Sequence, residues 1–302
     1  MGILSTKTLS AGQNDNGRRI DRILRKALPD HSLSLIHRLL RQGKVLVNEK
    51  TVNADQRILA GDIIQIQSVN NVNCRVNENL KKITVPLPEI LWNDLGLLVF
   101  NKPSGLSAHG PNSLDTMVKA YFSDSLSPSL SFKPGPLHRL DRQTSGIITF
   151  SQSLEGAQFF SKLMRERKIS KTYLAIVEGI ISKEIVWEDE LSRNKKRKKT
   201  YITDSTGIHA LMTVKPLAHG NDCTLIEAGL ITGRTHQIRA QSAAHGFVLL
   251  GDKKYGSVQP GGYFLHAWKI EFDKGKGPVI AQPPKLFLSQ IDFLFGKNIT
   301  VK

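Results

Sequence analysis

Residues 70–88 divide this chain. Four asparagines fall between positions 70 and 77, and Pro86 and Pro88 follow. Asparagine favours turns and proline interrupts both helices and sheet ladders, so no continuous element is expected to cross the stretch. The 302 residues therefore divide into a small module over 17–70, a linker over 71–88 and a larger domain over 89–302.

The small module is basic and partly helical. Arg18, Arg22 and Arg25 are spaced i, i+4 and i+7 and are expected on one helix face, with Ile20, Ile23, Leu24 and Ala27 facing elsewhere. A second helix begins near Ser32 or Ser34 and ends at Gly43, with "LIHRLLRQ" between them. Short strands follow in "KVLVN", "TVN" and "GDIIQI". Arg38, Arg41 and Lys44 extend the basic surface. Charges of this kind on amphipathic helices are often no more than a solvated face, but two adjacent basic faces favour RNA.

Beyond the linker the pattern changes. "LGLLVFNKPSG", "GIITF", "TYLAIVEG", "TLIEAGL", "FVLLGD" and "FLHAWKIEF" read as strands, and "SLEGAQFFSKLMRERK" and "RTHQIRAQSAAHG" as helices. Strands and helices mix without regular β-α-β alternation, which predicts a mixed, mainly antiparallel α+β domain.

Charge narrows the partner. Lys and Arg outnumber Asp and Glu 42 to 26, a formal net charge of +16, and such an excess favours a polyanion. No apolar run reaches the length of about 20 residues that a spanning helix needs, so no membrane is expected. No secretory signal is expected in "MGILSTKTLS". Cys74 and Cys223 lack metal or disulfide spacing, consistent with the cytoplasm. "RNKKRKK", Arg193 to Lys199, is expected to be a flexible solvated loop able to order on a phosphate backbone, with Lys196 and Arg197 at its centre.

Three polar stretches lie among the strands. "PLHRLDRQTSGII" sets Asp141 between Arg139 and Arg142. "KTYLAIVEG" puts Tyr173 on a strand face with Ala175 and Val177, and "ITGRTHQIRAQ" opens a helix at Arg234. An arginine at a helix N-terminus opposes the helix dipole, a conflict that a facing carboxylate removes. Dinucleotide, P-loop, zinc-protease, kinase and nucleophile-elbow motifs are all missing, and the nine histidines form no ligand cluster. Spacing alone leaves open whether Asp, Tyr and Arg share one cleft.

Two resemblances add to this reading. "RRIDRILRKAL…SLIHRLLRQGKVLVNEKTVN…GDIIQI" is similar to the S4 RNA-binding domain. "LVFNKPSG", "HRLDRQTSGI", "KTYLAIVEG", "TGRTHQIR" and "LLGDKKYG", in that order, resemble the signature set of the RluA-type pseudouridine synthases, closest to the RluC-like branch that acts on large-subunit rRNA. The resemblance implies a reaction that breaks the N1–C1′ bond of a uridine, turns the uracil and rejoins it through C5, without metal or organic cofactor. It implies Asp141 as the catalytic carboxylate, attacking C1′ or removing a ribose proton, and Arg234 as its partner. It also implies Tyr173 stacked on the base and Leu265 packed against that ring. Arg139 would enter the space left by the flipped base, and Arg142 would contact the backbone. The expected partner is structured RNA, 23S rRNA or an assembly precursor, bound by a monomer. The competing readings are a non-catalytic RNA-binding or ribosome-assembly protein and a synthase acting on tRNA.

Overall fold

The computed structural model describes residues 5–68, 86–122, 129–272, 277–297 and 299. It separates into two compact units, one of residues 1–85 with 117–135 and 151–157, the other of the remainder. The first unit thus takes in two segments placed in the larger domain by sequence. Most of the expected linker, and Cys74, lie outside the described residues.

The N-terminal module consists of β1 (Ser5–Ser10), β2 (Arg18–Arg19), α1 (Ile20–Ala27), α2 (Leu33–Arg41), β3 (Val45–Val47), β4 (Lys50–Thr51), β5 (Arg57–Ile58) and β6 (Ile63–Ser68). One sheet runs β1-β6-β3-β4, and β2 pairs with β5. Strand β1 was not anticipated; it lies ahead of residue 17 and pairs antiparallel with β6 along its whole length. Ile20, Ile23 and Leu24 of α1 are buried, as are Ile36, Leu39 and Leu40 of α2, and both sets pack against Val45, Ile64 and Ile66. Their i, i+3, i+4 spacing produces the apolar stripe. Ser32 caps α2 by accepting the Leu35 N–H at 3.3 Å. Arg22, Arg25, Arg38 and Arg41 are exposed and Lys44 is half-buried.

Arg18 departs from the expected face. Helix α1 starts at Ile20, so Arg18 lies in β2, and its Nη1 donates to Ser131 Oγ at 2.8 Å. The same serine belongs to a cluster around Asp15, which is fully buried. Asp15 accepts from Gly12 N at 3.0 Å, Ser129 Oγ at 2.9 Å, Leu130 N at 2.9 Å and Ser131 N at 3.1 Å, and also from the Ser131 hydroxyl. A buried carboxylate with this many donors fastens segment 129–131 to the module.

The remaining elements are β7 (Ile90–Asp94), β8 (Leu97–Lys102), α3 (Leu114–Tyr121), β9 (Gly135–Pro136), β10 (Ser145–Ser151), α4 (Leu154–Arg165), β11 (Ile169–Glu178), β12 (Ile185–Asn194), β13 (Lys199–Ile202), β14 (Ile208–His219), β15 (Cys223–Leu230), α5 (Gln237–Ala244), β16 (Leu265–Phe272), β17 (Val279–Ile280) and α6 (Lys285–Phe295). Among the described residues the large sheet runs β13-β12-β14-β15-β11-β16-β10-β8-β7, with β17 beside β16 and β9 beside β10. It is mainly antiparallel, as expected, with a parallel step between β10 and β16.

That parallel step explains one residue of the "HRLDRQTSG" loop. Gly146 pairs with Ala267 at φ +102°, and a Cβ there would lie 2.2 Å from the Ala267 carbonyl oxygen. Only glycine permits so close an approach. "FVLLGD" is not a strand: it contributes a single bridge, Leu249 to Val177, and then turns. "RNKKRKK" spans the turn of the β12–β13 hairpin and the strand ends beside it, exposed except for the half-buried Lys199.

Candidate active site

Asp141 sits in the loop before β10, half-buried, with its side chain 17% exposed. Its partner is not Arg234. Arg239 Nη1 donates to Asp141 Oδ2 at 3.0 Å, and the rest of the Arg239 guanidinium is held bidentately by Asp252, through Nε at 2.6 Å and Nη2 at 2.9 Å. The guanidinium also lies between two rings, 4.3 Å from the centroid of Tyr263 and 5.0 Å from that of Tyr255. Burial alone would lower the Arg239 pKa. Its hydrogen bonds and the charge of Asp252, with a further contribution from Asp141, outweigh that effect and leave it raised. Arg239 is therefore a fixed cation shared by two carboxylates.

Local chain geometry determines which arginine faces the acid. The helix begins at Gln237, not Arg234. The Gln237 side chain folds back over the preceding turn, where its Oε1 accepts from Arg234 N at 2.9 Å and Thr232 Oγ1 at 3.0 Å. Arg234 thus lies outside the helix, exposed, with Nε donating to the His209 carbonyl at 3.0 Å. Arg239, in the first turn of α5, points inward.

A second contact reaches the same oxygen. His236 Nε2 lies 3.4 Å from Asp141 Oδ2. Among the described residues no hydrogen bond reaches Asp141 Oδ1.

Asp141 stands where two clefts meet. One, of about 390 Å³, is largely apolar and is lined by Tyr173, Leu265, Leu230, Met164, Ile238 and Lys171, with Arg234 at its edge. The other, of about 460 Å³, is a basic groove with Arg139, Arg142, Arg193, Lys198, Lys254 and His109 on its walls. Arg139, Leu140, Asp141, His236 and Arg239 line both. A larger cavity beside α6, of about 1050 Å³, includes neither Asp141 nor Tyr173. Its size is no guide here, because the convergent charges lie in the smaller clefts.

Burial raises the Tyr173 phenol pKa, and the charge of Asp141 adds to this, so the ring stays neutral. Burial lowers Lys171 to about 8. Lys102, fully buried, is lowered by burial to about 8 against the pull of Asp141; its Nζ donates to the carbonyls of Pro103, Leu106 and Arg142 at 3.0, 2.8 and 3.3 Å. This lysine ties the loop after β8 to the residue following Asp141. His138 Nε2 accepts the Thr149 N–H at 3.0 Å, and burial holds its pKa well below the usual value.

Comparison with known proteins identifies the family. The RNA pseudouridylate synthase family profile matches residues 96–244, and the S4 domain profile matches residues 18–64. Ribosomal large subunit pseudouridine synthase C of Haemophilus influenzae is 30% identical over 287 residues, covering 90% of this chain and 88% of that protein. The protein of the same name from Pasteurella multocida is 31% identical over 90% of this chain and 87% of its own length. The chain belongs to the RNA pseudouridylate synthase family. It is an RNA pseudouridine synthase with an N-terminal S4 domain. The solved structure of human RNA Pseudouridylate Synthase Domain Containing 1 shares the fold, with a TM-score of 0.56 and 24% identity over 68% of this chain and 86% of that one.

Within this synthase, Asp141, Tyr173 and Leu265 line one cleft, while Arg139 and Arg142 are exposed at the groove. The Arg142 guanidinium is partly engaged, its Nε donating to the Gly105 carbonyl at 2.9 Å. Lys196 and Arg197 are exposed on the hairpin turn. Sequence reasoning missed Arg239, Asp252 and His236. Both "TGRTHQIR" and "LLGDKKYG" contain them, so the signal was present, but the facing side chains depended on where the helix begins.

Proposed function

We propose that this synthase isomerises uridines of large-subunit rRNA, with Asp141 as the reacting carboxylate. The observation that carries the reading is the junction of clefts at Asp141. An acid bonded through Oδ2 alone has its Oδ1 directed to substrate between an apolar pocket sized for a base and a groove suited to phosphates. Through Oδ1 it attacks C1′ or removes a ribose proton; either step frees the uracil, which turns and rejoins through C5. The Arg239 cation keeps the carboxylate oriented and compensates its charge. Neutral Tyr173 stacks on the base with Leu265 against the ring, and its hydroxyl relays the late C5 proton to solvent, giving up its own proton as its oxygen takes the new one.

Flipping the uridine costs a few kcal/mol, and stacking in the pocket and phosphate contacts at Arg139, Arg142 and the hairpin offset it. Support for the rRNA substrate comes from the large-subunit synthases to which the chain is similar along most of its length. A cytoplasmic monomer without metal or organic cofactor completes the reading; the buried free thiol of Cys223 suits a reducing compartment. Pseudouridine mapping of cells with and without the gene tests the substrate. Sites are expected to vanish from 23S rRNA, and loss confined to tRNA would overturn the assignment.

A further inference from the structure

His236 carries more than its 3.4 Å approach to Asp141. Its backbone is left-handed, φ 57°, directly before α5, where its side chain makes no capping bond to the helix. A non-glycine residue in that region costs about 1–2 kcal/mol and persists only when its surroundings hold it. Here they do. His236 Nδ1 is 3.0 Å from Tyr255 Oη, and Tyr255 Oη accepts the backbone N–H of Thr200 at 3.0 Å. Thr200 Oγ1 in turn donates to the Thr235 carbonyl at 2.9 Å, next to His236. Lys199 Nζ lies over the Tyr255 ring, 4.9 Å from its centroid. Lys199 and Thr200 begin β13, immediately after the basic hairpin turn.

The direction of these bonds follows from the atoms available. The Thr200 amide can only donate, so Tyr255 Oη accepts there and its one hydroxyl proton is free for His236 Nδ1. A neutral imidazole that accepts at Nδ1 carries its proton on Nε2, the atom facing Asp141. The imidazole is neutral at ordinary pH: burial lowers its pKa to about 4, with Arg239, Lys254 and Arg193 adding to the effect and Asp141 opposing it. These are the charged groups that face it from its own helix, the turn after Asp252, β12 and the loop before β10.

We propose that His236 is a positioning residue that donates from Nε2 to Asp141, and that the chain Thr200–Tyr255–His236–Asp141 couples the carboxylate to the RNA-facing hairpin. Arg239 and His236 then hold one oxygen of Asp141 from two directions, and RNA seated on the hairpin turn steadies the second hold. The functional part rests on Asp141 as the reacting carboxylate; the bond directions do not.

Two measurements test it separately. Nitrogen-15 spectra of the imidazole in the whole protein should show His236 neutral and protonated at Nε2, with tautomers mixing in Tyr255→Phe; an Nδ1-protonated ring in the wild type would overturn the chain whatever Asp141 does. In kinetics on RNA, Tyr255→Phe keeps the ring beside Arg239 and removes only the hydroxyl. It should lower kcat roughly fivefold, the rate equivalent of one neutral hydrogen bond, at unchanged KM. His236→Ala should lower kcat about tenfold or more, and the double variant should be no slower than His236→Ala alone. Additive losses, or a change confined to KM, would overturn the coupling. A failure of Asp141 itself would appear instead as an active Asp141→Asn enzyme.

Discussion

Asp141 and Asp252 share one guanidinium, and this arrangement makes Arg239 the most sensitive residue of the site after the acid. Arg239→Met leaves both carboxylates without their cation, one of them with a side chain 1% exposed. Removing one partner of such a buried group costs about 3–5 kcal/mol. The variant is expected to lose pseudouridine formation and to unfold at lower urea. Arg234→Ala breaks only a bond from an exposed side chain to the His209 carbonyl, so kcat should fall by less than about tenfold. Parallel assays of the two variants separate them, and equal losses would argue against Arg239 as the partner. Asp141 and Tyr173 were singled out in sequence by the resemblance of "HRLDRQTSGI" and "KTYLAIVEG", and the fold brings both to one cleft. The arginine was not, because "GRTHQIR" contains two and the turn closed by Gln237 decides between them. Asp252 was illegible for a related reason. Its segment reads as a strand, and only the fold shows it as a buried turn.

At the scale of elements, the β12–β13 hairpin and the β10–β16 contact make opposite demands. The hairpin turn is exposed, so Lys196→Ala with Arg197→Ala should fold normally, raise KM, lower kcat by no more than the roughly fivefold expected of Tyr255→Phe, and flatten the salt dependence of RNA binding by about one unit per lost phosphate contact. Unchanged salt dependence would remove the turn from the RNA-contacting surface. The β10–β16 step tolerates nothing. Gly146→Ala sets a Cβ against the Ala267 carbonyl in a left-handed backbone, and is expected to destabilise the protein by more than about 3 kcal/mol, measured by urea unfolding. The S4-type helices, with their buried i, i+3, i+4 stripes, were readable from periodicity. Strand β1 was missed because its residues, "STKTLS", show little apolar signal and are recruited by pairing with β6.

Across the whole molecule, stability also depends on buried polar groups that the chemistry does not use. Asp15→Ala strips the acceptor from Ser129, Leu130 and Ser131 and should cost about 2–4 kcal/mol. Acid should act through His266, whose Nε2 donates to the Ala281 carbonyl and whose Nδ1 accepts from Ser145 Oγ, each at 2.9 Å. Burial lowers its pKa to about 4. Between pH 6.5 and about 4 the unfolded chain binds a proton there that the folded chain refuses. Stability is therefore complete above pH 6.5 and falls as the pH drops, by at most about 1.4 kcal/mol per pH unit from this residue. Urea midpoints at pH 7, 6 and 5 should decline, and His266→Gln should decline less steeply.

The measurement closest to the central claim is Asp141→Asn, an isosteric change that keeps the loop and removes the charge. Purified wild type and variant are compared for RNA affinity and for pseudouridine formed per enzyme on 23S rRNA. The variant is expected to bind RNA within a fewfold of wild type and to form no detectable pseudouridine. Equal affinity with wild-type turnover would contradict the assignment of Asp141 as the reacting group.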